Sequence, residues 1–151
     1  MSLTPHFTLA ELYASTTAKA KGIDNTPPPH VVPRLQGTAE MLERIRATLG
    51  HPIVITSGYR CPKLNAAVGG VTSSDHTTGQ AADILCPGHG TPADVAALLA
   101  PLVSVLGIGQ LILEGIKGKS WVHVSTRVPA KPANRVLTIT DAGARSGIHR
   151  A

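Results

Sequence analysis

Aromatic side chains are nearly missing from this sequence: Phe7, Tyr13, Tyr59 and Trp121 are all it has, 3% of its residues. So few rings leave little on which to stack bases. No dense Lys/Arg run accompanies them, so a nucleic-acid-binding domain is not expected. Charge is sparse too, at 15%, and the 42% hydrophobic content excludes wholesale disorder. No run approaches the roughly 18–20 apolar residues of a membrane-crossing helix. The opening MSLTPHFTLAEL lacks a basic stretch followed by an apolar one, so no ordinary secretory signal is expected. Cysteine is limited to Cys61 and Cys86, which fit no CxxC metal or redox pattern. Their spacing leaves a disulfide and two free thiols both open.

What is present points to one domain over residues 1–151, with a core over about 7–140 and a basic C-terminal tail. Gly (15) and Pro (12) are numerous enough to demand many loops, which argues against a simple helical bundle. The net charge of +5 is concentrated late in the chain. After Glu114 come Lys117, Lys119, Arg127, Lys131, Arg135, Arg145 and Arg150, against Asp141 alone. That balance favours an anionic partner.

Thr8, with Glu11 three residues on, predicts a capped first helix over Phe7–Leu12. Asn25-Thr26-Pro27-Pro28-Pro29 must be an extended connector. Leu35, Ala39, Leu42, Ile45 and Leu49 recur at helical steps, predicting a helix from about Val31 to Leu49 that Gly50 stops. His51–Ser57 and Ala81–Leu85 read as strands, with a polar loop between them and a short helix near Leu64–Val68. Pro92–Leu106, capped by Thr91, predicts another helix. Gln110–Glu114 and Trp121–Ser125 read as two strands joined by the six-residue turn Gly115–Ser120. Val136–Thr140 is one more strand, followed by a loose tail. Helices first, then mostly antiparallel strands with an inserted helix, make an α+β fold.

Three polar side chains stand out on this plan. His76 lies in a turn that feeds a strand. Asp83 sits inside that strand, sharing a face with Ala81 and Leu85. His123 lies between Val122 and Val124. A buried Asp or His on an apolar strand is unfavourable unless something pairs with it. Two imidazoles and a carboxylate, with water in the fourth position, form a catalytic type of zinc site. From spacing alone the plainer account, a satisfied core histidine and a turn or capping aspartate, stays open.

The run Ser74-Asp75-His76-Thr77-Thr78-Gly79-Gln80-Ala81-Ala82-Asp83, followed about 40 residues later by Trp121-Val122-His123, resembles the zinc D-alanyl-D-alanine carboxypeptidase family of peptidoglycan peptidases. Ser57-Gly58-Tyr59-Arg60, Asn65 and Gly69-Gly70 match that family's loop before the first ligand, and the likeness spans about Phe7 to Arg135. The family includes vancomycin-resistance dipeptidases and phage L-alanyl-D-glutamate endolysins. It shares its fold with the hedgehog signalling domain. The resemblance implies a small antiparallel sheet carrying a zinc site, with helices packed on one side. It implies Zn2+ held by His76, Asp83 and His123. Arg60 would polarise the scissile carbonyl or grip a substrate carboxylate, tasks a guanidinium fork suits; as residues alone go, a surface ion pair stays open for it. Ser74 would orient substrate or support the ligand loop. Gly79 would let the backbone turn between ligands.

The general base departs from the family pattern. Many relatives carry Glu or Asp three residues before the last His ligand, where this chain has Ser120. If the two late strands form a hairpin, Glu114 lies opposite Trp121. Gln110, Ile112 and Glu114 then share a face with Trp121, His123 and Ser125, and Glu114 reaches the water site from the neighbouring strand. A slip of one residue would turn it away. Asp75 is the other acid nearby, expected to point to solvent. Trp121 either walls the cleft or packs the core. The functional expectation is a monomeric zinc peptidase that cuts peptide bonds next to D-amino acids in peptidoglycan. Made in the cytoplasm, it would reach the wall by phage- or prophage-type release. The alternative is a non-catalytic zinc module of the same fold that has lost its base.

Overall fold

A computed structural model of the chain describes residues 1–150. The elements run β1 (Ser2–Thr4), β2 (Phe7–Thr8), α1 (Thr16–Lys21), α2 (Val32–Leu49), β3 (Val54–Ser57), α3 (Pro62–Ala67) and β4 (Ala81–Leu85). They continue with α4 (Pro92–Leu99), α5 (Val103–Leu106), β5 (Gln110–Ile116), β6 (Lys119–Ser125), β7 (Val136–Thr140) and β8 (Gly143–Ser146). β1 and β2 form a small ribbon, and the other strands form one sheet in the order β3-β4-β6-β5-β7-β8. The fold is α+β, as expected.

The sheet has two unlike faces because its strands alternate. Ala82, Ile84, Leu111, Val122 and Val124 point to one side and are fully buried. They meet Leu35, Ala39, Leu42 and Ile45 of α2, with Val95, Ala96 and Leu99 of α4, in one apolar cluster. The opposite face carries Asp83, His123, Glu114 and Trp121. With α2 and α4 packed on one face, the polar residues on the other are left at a surface cleft.

Several expectations need correction. Thr8 and Glu11 do form a reciprocal capping box, Thr8 N donating to Glu11 Oε1 and Glu11 N to Thr8 Oγ1. It closes only a single 3-10 turn, Ala10–Leu12, because β2 occupies Phe7–Thr8. The helix α1 replaces an unassigned stretch; Ser15 caps it and Gly22 ends it. The helix over Pro92–Leu106 is broken by a 3-10 turn at Ala100–Leu102, where Pro101 has no N–H to donate. The hairpin turn is shorter than six residues. Lys117 and Gly118 both adopt positive φ (51° and 77°), the geometry of a two-residue turn whose twist suits the strands. β7 runs parallel to β5, an exception in an otherwise antiparallel sheet. The tail is not loose: β8 pairs with β7 from Leu137↔Ser146 to Thr140↔Gly143. Cys61 and Cys86 are both free thiols. Cys61 caps α3 by accepting from Leu64 N.

Candidate metal centre

The centre is built across two neighbouring strands and one turn. Asp83 of β4 pairs directly with His123 of β6. His76 arrives from the 3-10 turn Asp75–Thr78, capped by Ser74, whose Oγ accepts from His76 N. Gly79 ends that turn at φ 79°, and a Cβ there would press on Val31 Cγ1 at 2.7 Å. Both facts require glycine. Thr38 Oγ1 donates to the Gly79 carbonyl at 2.7 Å and so ties the turn to α2.

Donor chemistry shows what this arrangement can hold. His76 Nδ1 lies 2.7 Å from the Gly58 carbonyl, an oxygen that can only accept. Nδ1 therefore carries the proton, and in neutral His76 the Nε2 lone pair faces Asp83 Oδ1 at 3.2 Å. His123 Nδ1 faces the same oxygen at 3.1 Å. Electron-rich atoms converge and require a proton or a cation between them. Ligand atoms of His76, Asp83 and His123 all lie within 4.8 Å of one another. For tetrahedral zinc with bonds of about 2.0–2.1 Å, ligand atoms sit roughly 3.3–3.4 Å apart, close to the spacings seen here. The carbonyl behind His76 supplies the outer hydrogen bond that fixes a ligating imidazole. The group fits zinc.

Electrostatics follow this geometry in the metal-free state. Burial would raise the Asp83 carboxyl. The His76 charge and the hydrogen bonds from both imidazoles overcome it and hold Asp83 well below the ordinary carboxylate range. Burial pushes His123 down, but the bond to Asp83 and the charges of Asp83, Glu114 and Asp75 leave it raised.

A cleft of about 590 Å³ opens over the group. Its lining includes Arg60, Ser74, Asp75, Glu114, Trp121 and Arg127. All the residues expected at the site from sequence therefore meet in one cleft. The hairpin register is the one that places Glu114 opposite Trp121 and Ile112 opposite His123. Glu114 is half-buried; desolvation and the nearby Asp83 charge raise its carboxyl, with His123 and Arg60 pulling the other way. Arg60 N donates to the His76 carbonyl, and Arg60 Nη2 to Ser74 Oγ at 3.3 Å. Its Nε is buried without a partner, as is Trp121 Nε1.

Asp75 does not point to solvent. It is buried, with Arg127 Nε donating to Oδ1 and Ser125 Oγ to Oδ2. Burial is affordable because both its oxygens are paired, one with a cation. Sequence reasoning also missed Asn25, whose Nδ2 donates to the Tyr13 and Tyr59 carbonyls while its Oδ1 accepts from Cys61 N. The connector thus clamps both neighbours of Arg60. His6 instead bonds Glu43 and His149 the Ser146 carbonyl, so neither serves the centre.

No curated protein matches the chain. The family model described as Peptidase M15 matches residues 5–125. That stretch contains Arg60, Glu114 and the three candidate ligands His76, Asp83 and His123, and the chain belongs to the peptidase M15 family of zinc-dependent, peptidoglycan-acting peptidases.

Proposed function

We propose that the chain hydrolyses peptide bonds next to D-amino acids in the stem peptides or cross-links of bacterial peptidoglycan, with zinc held by His76, Asp83 and His123. The observation that carries this reading is the convergence of these ligand atoms in a cleft that also presents Arg60 and Glu114. When bound, zinc supplies Lewis acidity, polarising a carbonyl and acidifying water. The protein's own groups do the rest. Arg60, anchored through its backbone to the ligand turn, stays charged despite burial and offers N–H donors to the oxygen on which charge develops. Glu114 accepts the proton of the attacking water and returns it to the leaving amine; its raised carboxyl suits both directions of transfer. Diagonal neighbours on such strands lie about 7–8 Å apart at Cα, so a Glu side chain spans from β5 to the space before His123. Ser74 fixes Arg60, and Trp121 walls the cleft.

Ser120, exposed and donating to the Glu114 carbonyl, occupies the place of the usual acid, which is the feature favouring a non-catalytic module. Digestion of purified peptidoglycan with and without a chelator, followed by fragment masses, decides between them. Zinc-dependent fragments are expected, and their masses identify the bond and show whether the cut is internal or terminal. The absence of any such product on every wall chemistry would overturn the enzymatic reading.

A further inference from the structure

Arg127 is the least explained member of the cleft wall. Its Nε donates to Asp75, its backbone N donates to Ser125 Oγ at 3.1 Å, and Ser125 Oγ donates to Asp75 at 2.8 Å. The three residues close a ring around one buried carboxylate. The backbone beneath is fixed as well. Thr126 N donates to the Gln80 carbonyl at 2.9 Å, and Gly109 N donates to the Ser125 carbonyl at 2.7 Å. A Cβ on Gly109 would lie 2.7 Å from Thr126 O and nearer still to Arg127 backbone atoms, so glycine permits this approach. Half the Arg127 side chain nevertheless remains exposed. Among the described residues its two terminal nitrogens have no protein partner, and the residue lines the cleft with His76, Asp83 and His123.

A structural fastening needs only the Nε contact. The terminal edge of the guanidinium is left as a second fork, pre-oriented because Asp75 and Ser125 remove the freedom of the chain beneath it. A planar fork of N–H donors matches a carboxylate in a bidentate way. Arg60 stands in the same cleft with its own role at the reacting carbonyl. We infer that Arg127 is a substrate-binding residue whose free guanidinium edge recognises a carboxylate of the peptide substrate, beside the bond that is cut. This rests on the proposed peptidase function for its setting, although the binding step itself does not require turnover.

The test uses a blocked stem-like pentapeptide with free carboxylates and the same peptide with every carboxylate amidated. Binding is measured by calorimetry on zinc-loaded and on chelator-treated full-length protein. Wild-type protein is expected to prefer the acid form by about tenfold or more, the scale of a charge-assisted bond. R127Q should erase the preference and R127K should retain part of it. Because R127Q leaves Asp75 buried without its cation, D75N/R127Q removes the stranded charge and should show the same loss. A merely structural arginine would change melting temperature and leave the acid-to-amide ratio intact. That ratio persisting in R127Q or in D75N/R127Q, or being absent in wild type, overturns the inference. Zinc-dependent digestion by wild type with an unaltered ratio removes only the carboxylate site. An Arg127-dependent ratio without digestion removes only the peptidase reading.

Discussion

Substituting Gly58 by alanine tests whether the centre depends on backbone as well as on ligands. Gly58 has no positive φ, so its requirement is purely one of space. A Cβ built there lies 2.8 Å from the Leu12 carbonyl carbon, closer still to its oxygen, and 3.1 Å from Leu12 Cα. All three are main-chain atoms and cannot rotate aside. The Leu12 carbonyl is further pinned by Tyr59 N, which donates to it at 2.7 Å. Comfortable carbon contacts lie at about 3.5–4.0 Å, so the backbone at Gly58 must shift by roughly 1 Å. The Gly58 carbonyl that shifts is the one holding His76 Nδ1 at 2.7 Å, and such a movement takes that bond beyond the usual limit of about 3.2 Å. Overpacking of this kind destabilises by about 1–3 kcal/mol. Loss of an outer-shell partner lowers metal affinity by about 10–100-fold. Competition with a chromophoric chelator reads the affinity, and melting of the metal-free protein reads the stability. Gly37 is the control: it lies inside α2 with nothing within 4 Å of its Cβ position, so Gly37→Ala should stabilise by up to about 1 kcal/mol. A Gly58→Ala protein that binds zinc as wild type does and melts at the same temperature would refute the reasoning.

Glu114→Gln is expected to keep stoichiometric zinc while turnover falls by about 100- to 10,000-fold; near-normal turnover would assign the base elsewhere. Asn25→Ala removes three hydrogen bonds around Arg60, and leaves buried backbone groups unpaired, which should destabilise by about 2–4 kcal/mol in denaturant unfolding. The metal-free protein should have a two-sided pH response. Asp83 is lowered, so its contribution is present above the ordinary aspartate range and is lost as pH falls. His123 is raised, so its contribution is present below the ordinary histidine value and is lost as pH rises through the raised one. Zinc must displace that His123 proton, so apparent zinc affinity should increase with pH through the neutral range, with proton release seen by calorimetry in buffers of different ionisation enthalpy. Affinity that does not change with pH would contradict the assigned pair.

Legibility from sequence divided along physical lines. The β4, β5 and β6 strands and their inward faces were readable because alternation is local, and the hairpin joining β5 to β6 fixes its own register. That is why Glu114 could be placed opposite Trp121 from sequence. Its turn is not legible in the sequence because two residues at positive φ, one of them Lys117, leave no long polar signature. The parallel pairing of β5 with β7 and the closing strand β8 depend on contacts that no local pattern announces. The place of Asp75 is hidden for a related reason. A carboxylate beside a ligand turn reads as exposed unless its cation is known, and Arg127 lies 52 residues away. Asn25 was hidden in a proline-rich connector whose sequence shows only that it is extended, whereas its amide meets backbone groups 12, 34 and 36 residues distant.

The late excess of positive charge changes meaning when each cation is followed to its partner. Arg127 pairs with Asp75 under the metal centre, and Arg150 Nη1 reaches Asp94 at 2.9 Å, across from the cap of α4. Arg135 donates from Nε and Nη2 to the Ile108 carbonyl, closing the entry to β5. These arginines fasten the C-terminal strands to the body of the fold, and only Arg127 keeps a free edge toward the cleft. Lys117, Lys119, Lys131 and Arg145 stay exposed, on the β5–β6 turn and around the last strands. Together with the exposed Lys19, Lys21, Arg34 and Lys63, these dispersed cations favour weak, salt-sensitive association with an anionic polymer. Specific recognition then has to reside in the cleft, where Arg60 and Arg127 offer directional donors that a diffuse charge cannot. Neutralising Lys117, Lys119, Lys131 and Arg145 together should weaken binding to whole peptidoglycan at low salt and leave kcat on short soluble peptides unchanged. A fall in kcat on those peptides would show that the exposed charge acts on the reaction itself.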